Sequence, residues 1–283
     1  MNTPPRQSRA LGLLWSSLVW GVMGFFLLNV LGIIATVVVN SFGRTWFATW
    51  LPTAFTWNWY ASAWNEFQLD YLLIVTMEVT LSVVVVSILL GVPAAYALAR
   101  RQFAGKRWVV LVFLLPLLVP SFTYGIPLAT VLYRVGVGGT LTGVILANLV
   151  PAVPFVVLTM TPFIEQIDPR LEQAARVFGA GTFKTFIHVL APMLAPGILA
   201  AALLVLVRTL ALFELTFLTA GPDSQTLVVA LYYSVFAAGV RASQSVDAMA
   251  VTYMLTTLFW LLIALRFVDP TQLVTRVKEQ RAR

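Results

Sequence analysis

The chain has 283 residues, 60% of them hydrophobic and 10% charged, with a net charge of +7, one His and no Cys. Soluble globular domains carry roughly 45 to 50% apolar and about 25% charged residues, so a water-soluble fold has no way to cover this much apolar surface. The lack of Cys excludes disulfides, thiolate catalysis and Fe–S clusters, and the basic residues lie in short loops beside apolar runs, which points to membrane topology and not to nucleic acid.

Six segments reach the roughly 20 apolar residues needed to cross a hydrocarbon core of about 30 Å. The first, Trp15 to Val39, is uncharged and follows Arg6 and Arg9. Its apolar run exceeds the roughly 7 to 15 residues of a signal-peptide core, so it is expected to be retained as a span. The second runs from Tyr71 to Leu98 and carries Glu78. The third, Trp108 to Tyr133, holds Pro116, Pro120 and Pro127, and the fourth, within Val135 to Ile164, holds Pro151, Pro154 and Pro162. Intramembrane prolines free backbone carbonyls that neighbours must satisfy, so both segments are expected inside a bundle and kinked. The fifth is placed at Met193 to Ala220, with Arg208 and Glu214 inside it, and the sixth at Ala248 to Phe267. The apolar run Leu227 to Val240 is too short to span and is expected as a re-entrant or interfacial piece on the outer face.

On this six-span scheme 14 of the 18 basic residues fall on one side and only Arg44, Arg134 and Arg241 on the other, with Arg208 inside a span. The positive-inside rule then makes both termini cytoplasmic. The expected organisation is a cytoplasmic tail at 1–14, one transmembrane domain at 15–268 and a basic cytoplasmic tail at 269–283.

Between the fourth and fifth spans lies a polar elbow at about 165–192. Asp168-Pro169 is a sound helix start. Leu171, Ala174, Ala175 and Phe178 recur at helical spacing, leaving Glu172 and Arg176 to pair at i and i+4 on the solvated side. Gly179 and Gly181 are expected to end this helix, and a second amphipathic piece, Phe183 to Leu190, leads through Pro192 back to the membrane. Such a helix-turn-helix suits docking in a groove of another protein.

The run Glu172-Gln-Ala-Ala-Arg-Val-Phe-Gly-Ala180, followed by Pro192 and Pro196-Gly197, resembles the EAA loop of inner-membrane permeases of binding-protein-dependent ABC importers. The resemblance extends over roughly 70–268 and includes Gly91-Val-Pro-Ala-Ala-Tyr-Ala-Leu-Ala-Arg100. It implies an all-α permease of the type I importer kind, with six transmembrane helices. Glu172, Gln173, Ala174, Ala175, Arg176, Gly179 and Pro192 would then form the element that couples to an ATPase. The implied partners are ABC ATPase subunits, a second permease subunit, an extracytoplasmic solute-binding protein and the lipid bilayer. Two positions depart from the family pattern: Gln173 stands where Glu is usual, and Ala191 where Leu precedes the proline.

Gly179-Ala-Gly181-Thr-Phe-Lys184-Thr185 does not make a phosphate-binding loop, which needs Lys directly after its last Gly and a strand before the first. ATP is therefore expected to be used by a partner, with no cofactor or metal in this chain and no enzyme activity of its own. Intramembrane polar residues are candidates for a translocation path by default, which singles out Arg208, Glu214, Glu78 and Asn148 together with Phe213. Arg208 is open to a water-filled path, to pairing with Glu78, or to a partner subunit. Asn148 more often links helices than touches solute. Gly139 and Gly143 form a GxxxG that suggests close helix packing, and His188 reads as a surface or interface residue. The Leu51-Pro52 to Trp59-Tyr60 segment and Phe213-Glu214 to Gln225-Thr226-Leu227 resemble permeases for polyamines, opines or phosphonates. Carbohydrate is the alternative cargo, and an ion-coupled secondary transporter the rival mechanism.

Overall fold

The computed structural model describes residues 6–46, 49–236 and 242–267. The tail beyond Phe267 with its basic residues, Arg241 and the end of the 227–240 run lie outside them. By backbone contact the chain divides into two units, residues 1–66 with 237–252, and residues 67–236 with 253–283.

The first unit contains α1 (Arg6–Phe42), α2 (Asn58–Glu66) and the first turns of α12 (Ser243–Phe267). Helix α1 starts nine residues before Trp15, and from Leu14 to Phe42 none of its most apolar window is buried. A helix apolar on every side and exposed on every side is a solution stable in lipid and not in water. Beyond its end the chain turns back, with Gly43 paired to Phe55 and the Trp59 indole donating to the Gly43 carbonyl at 2.8 Å. Asn40 donates to Asp247 at 2.6 Å and Ser245 to Glu66 at 3.0 Å, so the polar groups at these helix ends satisfy one another.

The second unit is built on α3 (Leu69–Arg100), which packs most extensively along α6 (Leu141–Glu165), with α9 (Ala191–Ala211) against both. Val79, Val83, Val92, Val156, Val157, Met160, Leu190 and Leu194 fill the seam. Gly91 sets the spacing: a Cβ there would stand 2.6 Å from Val156 Cγ1, so α3 and α6 approach closely only because that position is bare.

The third expected span is two helices, α4 (Lys106–Leu118) and α5 (Ser121–Arg134), bent by 100°. Val119 is extended ahead of Pro120, the conformation that proline favours in the residue before it. Among the described residues five helices are long and apolar enough to cross a membrane, six if this bent pair is one span. The fourth span begins at Leu141, inside the stretch expected for it. Gly139 therefore lies in the preceding turn, and Gly143 is pressed against the Val137 carbonyl; the GxxxG is a turn-to-helix junction and not a helix-pairing stripe. The fifth span runs from Thr182 to Ala211, not from Met193 to Ala220. It includes α8 (Thr182–Thr185) and a π-helical segment, Phe186–Leu190, where the Ala191 N–H reaches back five residues to the Phe186 carbonyl. Pro192, next in the chain, has no N–H for the normal helical bond, and a widened turn accommodates such a gap. At its far end Leu212 is extended and the chain restarts as α10 (Glu214–Thr219), which packs on α5 and α6. The short apolar run forms α11 (Leu227–Phe236).

Candidate functional site

The elbow between α6 and α9 contains one eight-residue helix, α7 (Arg170–Val177). Asp168 performs the capping its position suggested, its carboxylate accepting from the Arg170 N–H at 2.9 Å. At the other end Gly179 takes φ +81. Its N–H bonds the Arg176 carbonyl at 2.9 Å, and the next N–H, of Ala180, bonds the Ala175 carbonyl at 3.0 Å. This paired closure is a Schellman turn, which needs a left-handed residue at the Gly179 position. Gly181 is extended, with φ −70, so one glycine ends the helix where two were expected.

Arg176 is on the solvated side as expected, but Glu172 is not. Glu172 is its buried residue, 5% exposed, and it does not pair with Arg176. Its Oε1 accepts from Arg100 Nε at 2.7 Å, and its Oε2 from the Tyr96 hydroxyl at 2.7 Å. Arg100 also donates through Nη2 to the Ile167 carbonyl at 2.7 Å. Outward face Gln173, Ala174 and Arg176, with Ala175 half-buried and Pro192 exposed at the base of α9. At the tip Val177 is 85% exposed, Phe178 91% and Phe183, on α8, 76%. Spacing alone marks an apolar stripe but not whether it faces the chain's own core or a partner. His188 is exposed, its Nδ1 3.1 Å from the Lys184 carbonyl.

The intramembrane candidates do not converge. Arg208 lies 5.2 Å from the centre of the Phe155 ring, a cation–π contact, and among the described residues no ion pair joins it to Glu78, which is exposed on α3. Asn148 is buried, donating to the Val144 carbonyl at 2.9 Å and to Thr216 Oγ1 at 3.1 Å, so it ties α6 to α10. Glu214 opens α10, half-buried, where a carboxylate suits the free N–H groups of a helix start. Phe213 belongs to something spacing did not reveal. It stacks on Phe217 at 5.0 Å and meets Tyr232 at 4.9 Å; Phe217 touches Tyr233 at 5.7 Å and Tyr232 touches Phe236 at 4.6 Å. Tyr232, Tyr233 and Phe236 are exposed, so this five-ring cluster has an open side.

Helix α9 rises away from the elbow, and at 1.5 Å per residue the 30 residues from Thr182 to Ala211 cover about 45 Å. The aromatic cluster therefore stands at the end of the unit opposite α7. Among the described residues, a multi-pass helical bundle with an exposed apolar elbow at one end has the build of a membrane transport subunit. The chain belongs to the binding-protein-dependent transport system inner membrane component family, whose pattern matches residues 87–274; it is a permease component of an ABC importer.

Among its relatives, the diacetylchitobiose uptake system permease protein NgcG of Streptomyces coelicolor is 30% identical over 196 residues, 69% of this chain and 63% of that protein. The trehalose transport system permease protein SugB of Mycobacterium tuberculosis is 31% identical over 193 residues, 68% of this chain and 70% of that one. Permeases of molybdenum and sulfate transport systems are similar over shorter stretches. The fold is that of a chain in the crystal structure of a bacterial ABC transporter involved in the import of the acidic polysaccharide alginate, with a TM-score of 0.76, 18% identity and coverage of 95% of this chain and all of that one.

Proposed function

We propose that this permease carries a carbohydrate delivered by an extracytoplasmic binding protein, and that α7 with the Phe178 and Phe183 tip seats in an ATPase subunit on the cytoplasmic side. Both termini lie on that side, as the distribution of basic residues requires. A second permease subunit completes the pathway and covers apolar surface that this chain leaves bare.

The observation that carries the docking reading is the tip itself, since large apolar side chains held outward on a polar elbow mark an interaction surface. The charged side chains that α7 exposes are Arg170 and Arg176, so the receiving cleft is apolar with an acidic rim. For the cargo, the trehalose and diacetylchitobiose permeases favour carbohydrate over the polyamine, opine or phosphonate expected from the 51–60 and 213–227 segments. The aromatic cluster favours it over the oxyanions. Aromatic rings offer flat apolar faces with polar edges, matching the C–H faces and hydroxyl rims of sugar rings, whereas a tetrahedral oxyanion has no such face to offer. Arg208, Glu214 and Glu78 keep the role of candidate path residues, whereas Asn148 serves to link helices.

The test is uptake by proteoliposomes holding the permease, its ATPase and its binding protein. Oligosaccharide uptake that needs internal ATP, persists after the proton gradient is collapsed and is not competed by sulfate, molybdate or spermidine is expected. Competition by one of those ions instead would overturn the carbohydrate reading.

A further inference from the structure

The geometry points to α3 as the rod that carries motion of α7 across the membrane, with Arg100 and Tyr96 as the positioning residues that join the two. This rests on α7 being the ATPase-docking element.

By backbone proximity α7 packs chiefly on α8 and the π-helical segment, and side chains attach it to α3. Tyr96 and Arg100 stand one turn apart on α3 and present one face. Between them they hold both oxygens of Glu172, at 2.7 Å each, so the carboxylate has no free rotation. The pair is shielded, with the Arg100 and Glu172 side chains 13% and 7% exposed, and charge-assisted bonds strengthen where water is excluded. Arg100 also grips the Ile167 carbonyl, between α6 and α7, while the Tyr96 ring sits edge-on to Phe186 at 5.5 Å, at the foot of the fifth span. One turn of α3 thus fastens α7, the connection from α6 and the π-helical segment. Glu172 is the only carboxylate on α7, because the next position is Gln173, so its charge is committed to α3.

The other end of α3 is fastened as well. The Tyr71 hydroxyl donates to the Asp223 carbonyl at 2.7 Å, in the connection between α10 and α11. Thr76 Oγ1 accepts the first N–H of α11, that of Leu227, at 2.8 Å. Helix α11 carries Tyr232, Tyr233 and Phe236 of the aromatic cluster. A single helix of 32 residues, about 48 Å long and continuous through Pro93, where one backbone hydrogen bond is missing, therefore joins the elbow to the segment that bears the cluster. A push on α7 reaches that segment through α3 without crossing a chain break.

The experiment reconstitutes the complete transporter and measures sugar uptake and ATP hydrolysis together. Arg100→Glu sets two carboxylates face to face. The ATPase subunit should still co-purify and hydrolyse ATP, while uptake per ATP falls about tenfold. The exchange Arg100→Glu with Glu172→Arg restores a pair and should recover most of the loss. Tyr96→Phe keeps the ring, removes one hydrogen bond and should lower uptake per ATP by roughly two- to threefold. Normal uptake per ATP in Arg100→Glu overturns the inference, as does a parallel fall of uptake and hydrolysis in all three variants. If Arg100→Glu alone fails to assemble, the exchange and Tyr96→Phe decide. The docking reading fails separately, by retention of the ATPase subunit when the α7 tip is made acidic.

Discussion

Gly179 and Gly181 offer a controlled comparison within the elbow. A Cβ added at either would meet nothing within 4 Å, so crowding is the same at both: none. They differ in backbone, Gly179 at φ +81 and Gly181 at φ −70. A side chain in the left-handed region costs roughly 1–2 kcal/mol, which lowers the population of the closed Schellman turn by about 5- to 30-fold. Gly179→Ala should therefore slow ATP-driven uptake by up to that factor at equal permease content in vesicles, and raise protease cleavage at residues 178–184. Gly181→Ala should stay within about twofold of the parent, since alanine accepts its conformation and reduces unfolded-state freedom. Gly179→Asn should fall between them, because Asn visits the left-handed region more readily. Equal damage from Gly181→Ala, or from Gly179→Asn as from Gly179→Ala, would show that bulk and not backbone conformation decides.

Phe178→Asp puts a charge on a ring that is 91% exposed, so insertion should be unchanged while the ATPase subunit is lost on co-purification; full retention would exclude the α7 tip from the interface. Gly91→Ala forces Val156 aside at the α3–α6 seam, and overpacking of this kind costs about 1–3 kcal/mol. The melting temperature in detergent should drop and should recover when Val156→Ala is added. Asn148→Leu strands the Thr216 hydroxyl, a loss of roughly 1–3 kcal/mol visible as reduced thermal stability with unaltered cargo preference. A changed preference would place Asn148 in the path. Tyr232→Ala together with Phe217→Ala should raise the apparent KM for sugar about five- to tenfold and leave ATP hydrolysis coupled; unchanged KM would remove the cluster from cargo recognition.

The membrane class, the helices and the elbow were legible because each rests on local rules. Apolar length marks a span whatever surrounds it, Asp168 caps the helix it precedes, and Pro120 breaks the segment it interrupts. Boundaries were less legible. The fifth span begins at Thr182 because a π-helical turn lets the helix run on past Pro192, and it stops at Ala211 because Leu212 turns extended. No composition signal marks either event. The GxxxG misled for a related reason: the same two glycines serve a tight turn as well as a helix pair, and only the start of α6 at Leu141 decides.

By itself the amino-acid sequence determined that the chain is a membrane protein, roughly where its apolar segments lie, and that an elbow with an EAA-like pattern separates two of them, because these follow from apolar length and short-range spacing. The tertiary structure alone decided what Glu172 does. Its partners Tyr96 and Arg100 lie 76 and 72 residues away in the chain, and helical periodicity within α7 carries no information about groups that far off. The aromatic cluster is of the same kind: Phe213 and Phe217 meet Tyr232 and Tyr233 only because α10 and α11 fold back beside each other at the end of the bundle opposite the elbow.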